Sequence, residues 1–193
     1  MLVRMFKRII YITIVLSACF TIPRESLSIQ DPDQRSQNFD VKITTLAETP
    51  KEYTIVSDSI KYSPDLRHVT YIAYKNKTAQ FVVLDNKKSS EYYAISAGTP
   101  IFSPEENHHA YIAYRGEKGK EAFAVVDGNK SPVFDNIDHF QFSNDGKRFA
   151  YRAAKNGKQC IVIDNQIGKW YDGVPVKNNF KFSNDSKHIA YVA

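Results

Sequence analysis

Short runs in which apolar and polar residues alternate recur along most of the chain, and clusters of turn-forming residues separate them. The clearest example has alternating runs at residues 139–143, 148–154, 159–164 and 169–173. Alternation with a period of two is typical of β-strands with one buried face, and the Asn-Asp-Gly-Lys sequence at residues 144–147 is typical of a hairpin turn. The pattern therefore predicts four short antiparallel strands in this segment.

The same arrangement returns every 40 residues. Near-identical turn motifs, Tyr-Ser-Pro-Asp, Phe-Ser-Pro-Glu and twice Phe-Ser-Asn-Asp, begin at Tyr62, Phe102, Phe142 and Phe182. A tyrosine follows each turn serine after eight residues, at Tyr71, Tyr111, Tyr151 and Tyr191. Because this spacing holds without insertion, the chain is a repeat array, and architecture explains most of its residues before any function is invoked.

Four antiparallel strands in 40 residues match the size of one blade of a β-propeller. In the first two copies, the predicted third strands are residues 81–85 and 123–127, and the predicted fourth strands are residues 92–95 and 133–135. The sequence thus indicates an all-β fold with one four-stranded antiparallel blade in each repeat.

The segment from Phe142 to Tyr151, Phe-Ser-Asn-Asp-Gly-Lys-Arg-Phe-Ala-Tyr, followed by an apolar strand that ends in aspartate, resembles the TolB-type, WD-like propeller repeat. The resemblance covers roughly residues 39–193 and implies a β-propeller of about four blades. Leu66 and Glu106 stand where the repeat has its turn glycine, which implies altered turns in the first two copies. Such repeats occur in periplasmic binding scaffolds such as TolB and in the propeller that gates prolyl-oligopeptidase-like hydrolases, so the fold does not decide the function.

The two ends of the array allow two interpretations. The fourth copy contributes two strands within residues 180–193, and residues 39–46 and 52–56 have the pattern of two further strands. In one interpretation, these N-terminal strands complete the fourth blade and close the ring, which removes exposed sheet edges. In the other, the sequence is a fragment of a larger propeller with six or more blades.

Residues 1–18 have the layout of a secretory signal peptide. A basic start is followed by an apolar stretch at residues 9–16 that is too short to span a bilayer as a helix. The next residues, Leu-Ser-Ala-Cys, resemble the bacterial lipoprotein box, which implies cleavage before Cys19 and lipidation of its thiol. The alternative is ordinary cleavage after the alanine, with Cys19 incidental.

Residues 19–38 then comprise the lipidated cysteine and a flexible tether, because the segment is rich in Ser, Gln, Asp and Pro. The propeller domain follows at residues 39–193. By the lipoprotein resemblance, Phe20 in place of aspartate implies sorting to the outer membrane of a Gram-negative cell. We therefore expect an exported protein that is lipid-anchored on the periplasmic or cell-surface face of a bacterial membrane.

The net charge of +5 is largely a property of the leader. Without Arg4, Lys7 and Arg8, 23 basic side chains face 21 acidic ones, a net charge of +2. Lysines are spread over the turns rather than clustered on one element, so the sequence gives little support to nucleic-acid binding.

Repeat positions also account for most residues that would otherwise suggest chemistry. Cys160 aligns with third-strand phenylalanines of the other copies, so we expect a buried core residue rather than a nucleophile. His68, His108 and His188 share one position on three different blades, which does not bring them to one metal ion. His109 aligns with apolar residues and is either exposed or buried beside a partner.

The third-strand aspartates, followed by asparagine or glycine, have the residue types that two-residue hairpin turns require; they are Asp85, Asp127 and Asp164. The sequence contains no nucleophile elbow or phosphate-binding loop, so we predict no catalysis, no metal and no cofactor.

The predicted binding residues lie in the connections that enter the innermost strands, which in propellers surround one mouth of the central channel. They are Asp58, Ser59, Gly98, Thr99, Asp138, His139, Asn178 and Asn179. A second candidate patch is Trp170 and Tyr171, with Tyr92 and Tyr93 in the corresponding strand; such aromatic residues serve either interfaces or packing between blades.

These observations predict a binding or assembly module of the cell envelope, with a protein or peptide partner, a lipid anchor in the membrane and no catalysis of its own. The alternative is that the chain is the gating propeller, or a truncated fragment, of an exported prolyl-oligopeptidase-like hydrolase.

Overall fold

The structure is a computed structural model, and it describes residues 10–13, 41–44, 52–75, 79–105, 108–175 and 180–193. The chain divides into two compact units, Met1–Pro50 and Lys51–Ala193. In the first unit, strands β1 (Ile10–Thr13) and β2 (Val41–Thr44) pair in parallel. Of the predicted signal peptide only β1 is described, and Cys19 and the tether at residues 19–38 lie outside the described residues.

The described part of the second unit forms successive antiparallel sheets, which we number as blades 1 to 4. Blade 1 contains β3 (Thr54–Ile55), β4 (Lys61–Tyr62), β5 (Val69–Lys75), β6 (Ala79–Leu84) and β7 (Lys87–Lys88). Blade 2 contains β8 (Ala94–Ile95), β9 (Ile101–Phe102), β10 (His109–Arg115), β11 (Glu121–Val126) and β12 (Asn129–Lys130). Blade 3 contains β13 (Asn136–Phe142), β14 (Phe149–Lys155), β15 (Lys158–Ile163) and β16 (Gln166–Ile167). Blade 4 contains β17 (Phe180–Phe182) and β18 (Ile189–Tyr191).

The strands of each blade lie side by side in the order of the sequence. In blade 3, β13 pairs with β14, β14 with β15 and β15 with β16. Blades 1 and 2 follow the same order, except that two short strands, β3 with β4 and β8 with β9, together take the place of β13. We call this strand the first strand and the last one the outer strand. Four-stranded antiparallel sheets in this order, repeated along the chain, confirm the predicted all-β propeller fold.

The hairpins from the third to the outer strand confirm the predicted role of the aspartates. Backbone φ is positive at both central residues of each turn: +47° and +67° at Asp85 and Asn86, +49° and +82° at Asp127 and Gly128, and +50° and +65° at Asp164 and Asn165. Positive φ at both positions defines the type I′ turn, which matches the twist of the flanking strands. The short third-to-outer connection therefore follows directly from the Asp-Asn and Asp-Gly pairs.

The repeated Ser-x-Asp turn has a local explanation as well. The hydroxyl of Ser143 donates a hydrogen bond to Asp145 Oδ1 at 2.6 Å and accepts one from the backbone N–H of Arg148 at 3.0 Å. The hydrogen bond from the Ser143 hydroxyl is the largest cause of the lowered pKa of Asp145. Ser63 and Ser183 make the same pair of contacts in their own turns. The motif thus holds the hairpin between the first and second strands.

The outer strands differ from the prediction. Residues 92–95, 133–135 and 169–173 were the expected fourth strands, whereas the outer strands β7, β12 and β16 begin earlier. The expected segments retain one bridge each to the third strand of their own blade, at Tyr92, Phe134 and Tyr171. The chain enters the next blade directly after this bridge. In blade 2, the backbone N–H of Tyr93 already donates to Tyr114 O at 2.9 Å.

The N-terminal segments do not pair as the closed-ring interpretation expected. Thr54–Ile55, within the predicted strand at residues 52–56, pairs with β5 and belongs to blade 1. Val41–Thr44, within residues 39–46, pairs with β1. In the described residues, blade 4 therefore consists of the pair β17 and β18. Alternation predicts that each of these segments forms a strand, and it does not identify the sheet that the strand joins.

The core lies within the blades and between successive blades. Large side chains that are almost fully buried come mainly from the second and third strands, among them Tyr71, Tyr151, Phe81 and Phe123. Cys160 is fully buried, as predicted, and burial raises the pKa of its thiol to about 11. No helix among the described residues is long and apolar enough to cross a membrane.

Candidate functional site

The first strand of each complete blade is interrupted at the same position. In blade 1, a single 3-10 turn at Ser57–Ser59 separates β3 from β4. In blade 2, the turn at residues 96–99, with φ of +85° at Gly98, separates β8 from β9. In blade 3, the register of β13 shifts between Asp138 and Gln141. The predicted binding residues of blades 1 to 3 therefore lie within the first strand rather than ahead of it, at interruptions that redirect side chains out of the ladder.

Two of these residues use their hydroxyl groups to repair the interrupted ladder. Ser59 is buried, and its Oγ donates to Val56 O at 2.5 Å and accepts from the backbone N–H of Ile72 at 2.8 Å. Thr99 is also buried, and its Oγ1 donates to Ser96 O at 2.8 Å. Because buried backbone groups need partners, these hydroxyls are part of the scaffold.

In blade 3, an ion pair holds the interrupted strand. Arg152, on β14, donates from Nε to Asp138 Oδ1 at 2.7 Å and from Nη2 to Asp138 Oδ2. Its Nη1 donates to Val174 O at 2.8 Å, so the guanidinium joins the bulge to the segment that follows blade 3. The hydrogen bond to Asp138 is the largest cause of a raised pKa at Arg152. Arg152 is 9% exposed, and its bidentate hydrogen bonds to Asp138 fix the bulge geometry.

The exposed members of the predicted set are those that could contact a ligand. Asp58 and His139 are exposed, and His139 has φ of +53°, a left-handed conformation that is uncommon outside glycine. The Asp138 side chain is 31% exposed, so one side of the ion pair faces solvent. Asn178 and Asn179 lie outside the described residues. The interruptions thus present a carboxylate in blade 1 and an imidazole beside a carboxylate in blade 3.

The aromatic patch lies in the packing between blades. Trp170 is half-buried against a core cluster formed by blades 2 and 3, with its ring 6.4 Å from that of Phe134. Tyr171 is half-buried, and its hydroxyl lies 3.3 Å from the Tyr191 hydroxyl of blade 4. Tyr92 is buried and makes the equivalent contact with Tyr111, at 3.2 Å. Tyr93, at 56% exposed, is the member of this set that remains most accessible to a partner.

Two of the three histidines that share a repeat position, His68 and His108, have an aspartate partner in their own blade. His68 Nδ1 lies 2.5 Å from Asp85 Oδ2, and His108 Nδ1 lies 2.6 Å from Asp127 Oδ2. Each of these aspartates also accepts the backbone N–H of the residue after its histidine. Among the described residues, no cluster of three or more His, Cys, Asp or Glu side chains could hold a metal ion.

Sequence reasoning missed Arg152. The equivalent positions in the first two repeats are Ile72 and Ile112, so an arginine at this buried position was a visible departure from the repeat. A position-by-position comparison of the repeats would have found it and suggested a buried partner, which Asp138 supplies.

No protein-family model matches the sequence, and no curated protein matches it. The solved structures that are similar to this chain include a protease domain and a TolB protein. The β-propeller domain of the Trilobed protease from Pyrococcus furiosus, described as having an open velcro topology, is 14% identical, with a TM-score of 0.47 over 72% of this chain and 48% of that one. TolB from Acinetobacter baumannii is 17% identical, with a TM-score of 0.41 over 73% of this chain and 38% of that one.

This chain therefore spans about half the length of the first structure and less of the second. The propeller fold follows from the strand order and the repeat described above.

Proposed function

We propose that the protein is a β-propeller binding or assembly module of the bacterial cell envelope, exported and lipid-anchored through Cys19, without catalysis of its own. The basic and apolar leader and the Leu-Ser-Ala-Cys sequence support export and anchoring. The repeated blades support a scaffold role, because the turn serines and the third-strand aspartates, which recur from blade to blade, form hydrogen bonds within their own blades.

The observation that carries the binding role is the interruption of the first strand in each complete blade. The surrounding turns are nearly identical from repeat to repeat, whereas the interruption holds Asp-Ser, Gly-Thr and Asp-His in blades 1, 2 and 3. Side chains that vary on a repeated rigid support are the usual basis of specific recognition. The exposed groups are polar and carry hydrogen-bonding atoms, which suits a peptide or protein segment.

The binding test uses residues that are exposed and do not hold the fold. We would pair Asp58→Ala with His139→Ala and measure capture of envelope proteins by the purified chain after crosslinking. Asp138 is left unchanged, because its loss would leave Arg152 buried without its partner, at a cost of about 3 kcal/mol. Glu117→Ala, an exposed change in the turn between β10 and β11, is the matched control.

We expect the double variant to lose at least tenfold of the specific capture, while the control retains it. Unchanged capture by the double variant would contradict a partner site at the interruptions. A native product much larger than 22.1 kDa that reacts with a serine-hydrolase probe would instead favour the gating propeller of a hydrolase.

The anchor has its own test, because the chain contains two cysteines. Metabolic labelling with a radioactive fatty acid should mark the wild-type chain and a Cys160→Ala variant, and it should not mark Cys19→Ser. Label that persists in Cys19→Ser would contradict lipidation at this residue.

A further inference from the structure

We call the packed interface between two successive blades a seam. The seam between blades 1 and 2 contains a buried histidine. His109, the first residue of β10, is 6% exposed, and its Nε2 lies 2.9 Å from Oγ1 of the fully buried Thr70 on β5. The repeat positions of these two residues are otherwise apolar: Val69, Phe149 and Ile189 align with His109, and Ala110, Ala150 and Ala190 align with Thr70. The polar pair is therefore a departure from the repeat at both of its positions.

The imidazole is surrounded by rings and by two carboxylates that are already engaged. The rings of Phe102 and Tyr111 lie 5.4 and 5.8 Å from it, centre to centre. The charged groups that face it from blades 1 and 2 are the Asp85–His68 and Asp127–His108 pairs, in which each aspartate accepts a backbone N–H and contacts its histidine. Among the described residues, the seam thus offers His109 no carboxylate that is not already engaged.

Protonation of His109 would not break its hydrogen bond, because the Thr70 hydroxyl can accept as well as donate. The cost is the burial of a charge, since water cannot reach the ring in the closed seam. Burial lowers the pKa of His109 to about 4, and the nearby Asp127 and Asp85 offset only part of this effect. The closed seam therefore holds a neutral imidazole, and solvent access favours the protonated one.

We propose that the seam between blades 1 and 2 is an acid-sensitive joint, whose transient opening becomes more frequent in mildly acidic solution because His109 can take up a proton only when the seam is open. An opened seam restores the ordinary pKa of about 6.5, so opening becomes on the order of 30-fold more favourable at pH 5 than at pH 7.5. The seam between blades 2 and 3 has Phe149 and Ala110 at the same positions and lacks this response.

The test compares the two seams within one molecule. We would measure hydrogen exchange of the full chain at pH 7.5 and pH 5, with rates corrected for the intrinsic effect of pH. Protection of the first amides of β10 should fall on the order of 30-fold, while protection of the equivalent amides of β14 should fall much less. In Thr70→Ala/His109→Val, which restores the apolar residues of the other repeats, the extra loss in β10 should disappear.

An equal loss of protection in β10 and β14, or an undiminished loss in the double variant, would overturn the proposal. A second measurement stands if the double variant fails to fold. The imidazole of His109 in the wild-type chain, followed by NMR, should stay neutral at pH 5.5, and titration near the ordinary value with the seam intact would also overturn the joint.

Discussion

Two successive seams are built from the same repeat positions with different chemistry. Between blades 1 and 2, hydrogen bonds join His109 to Thr70 and Tyr92 to Tyr111. Between blades 2 and 3, phenylalanines replace His109 and Tyr92. Phe149 stacks on Phe140 at 5.6 Å and packs in a cluster that includes Ala110, and Phe134 lies against Tyr151.

The repeat therefore determines where two successive blades meet. The residues at each seam determine whether hydrogen bonds or apolar contacts join them. In the second seam, the Tyr151 hydroxyl is buried and makes no close hydrogen bond among the described residues, although the Ser131 side chain interacts with it. Phe134 stands where the first seam has Tyr92, so Tyr151 has no second tyrosine hydroxyl beside it. We therefore expect the first seam to depend on pH and on hydroxyl groups, and the second to depend on apolar contact.

The largest effect is expected from emptying the second seam. Phe149→Ala removes an aromatic ring from the stack and should lower the free energy of unfolding by about 3 kcal/mol. Thr70→Ala/His109→Val is the comparison in the first seam. It replaces both polar partners by apolar ones and should stay within about 1 kcal/mol of wild type at pH 7.5. Urea unfolding measures both, and a larger loss in the double variant would contradict the comparison.

Acid should act on the first seam with an intermediate effect. The pKa of His109 is about 4 in the folded chain and about 6.5 when unfolded, so the unfolded chain binds more protons between these values. Stability is therefore complete above pH 6.5 and falls as the pH decreases, by on the order of 2 kcal/mol at pH 5. Urea unfolding at pH 5 and 7.5 tests this, and the same acid loss in Thr70→Ala/His109→Val would assign it to other groups.

The smallest effect distinguishes the two tyrosine hydroxyls. Tyr111→Phe leaves the Tyr92 hydroxyl buried without its partner and should cost about 1 kcal/mol. Tyr151→Phe removes a buried hydroxyl that makes no close hydrogen bond and should cost less than Tyr111→Phe. The two matched changes can be compared by their melting temperatures. If Tyr151→Phe were the more destabilising of the two, its hydroxyl would have a partner.

The sequence alone was sufficient for the scaffold. The 40-residue spacing predicted the blades, the Asp-Asn and Asp-Gly pairs predicted their type I′ turns, and the alignment of Cys160 with phenylalanines predicted its burial. Each of these features is local or repeats at a fixed interval, so one chain carries the signal several times.

The pairings between distant segments could not be predicted from the sequence. Alternation at residues 52–56 indicated a strand, yet the choice of blade 1 depends on which sheet edge is free. The burial of His109 beside a partner was one of two alternatives, because Thr70 lies in the preceding repeat and the contact exists only across the seam. The sequence predicted that Asp138 contacts a ligand. Its hydrogen bond to Arg152 depends on the pairing of β13 with β14, which places the two residues opposite each other.

These seams matter for the proposed function because they hold the interrupted first strands at fixed positions from blade to blade. A partner that contacts the interruptions in more than one blade would sense an opening between blades 1 and 2. Binding that weakens at pH 5 in the wild type and persists in Thr70→Ala/His109→Val would connect the two proposals.

The most direct test of the binding role is photo-crosslinking in living cells, with a photoreactive amino acid placed at His139 or, as the control, at Glu117. Both positions are exposed. We predict a discrete crosslinked envelope protein from position 139 and none from position 117. Equal or absent crosslinking at the two positions, with the chain folded and exported, would contradict a partner site at the interrupted first strands.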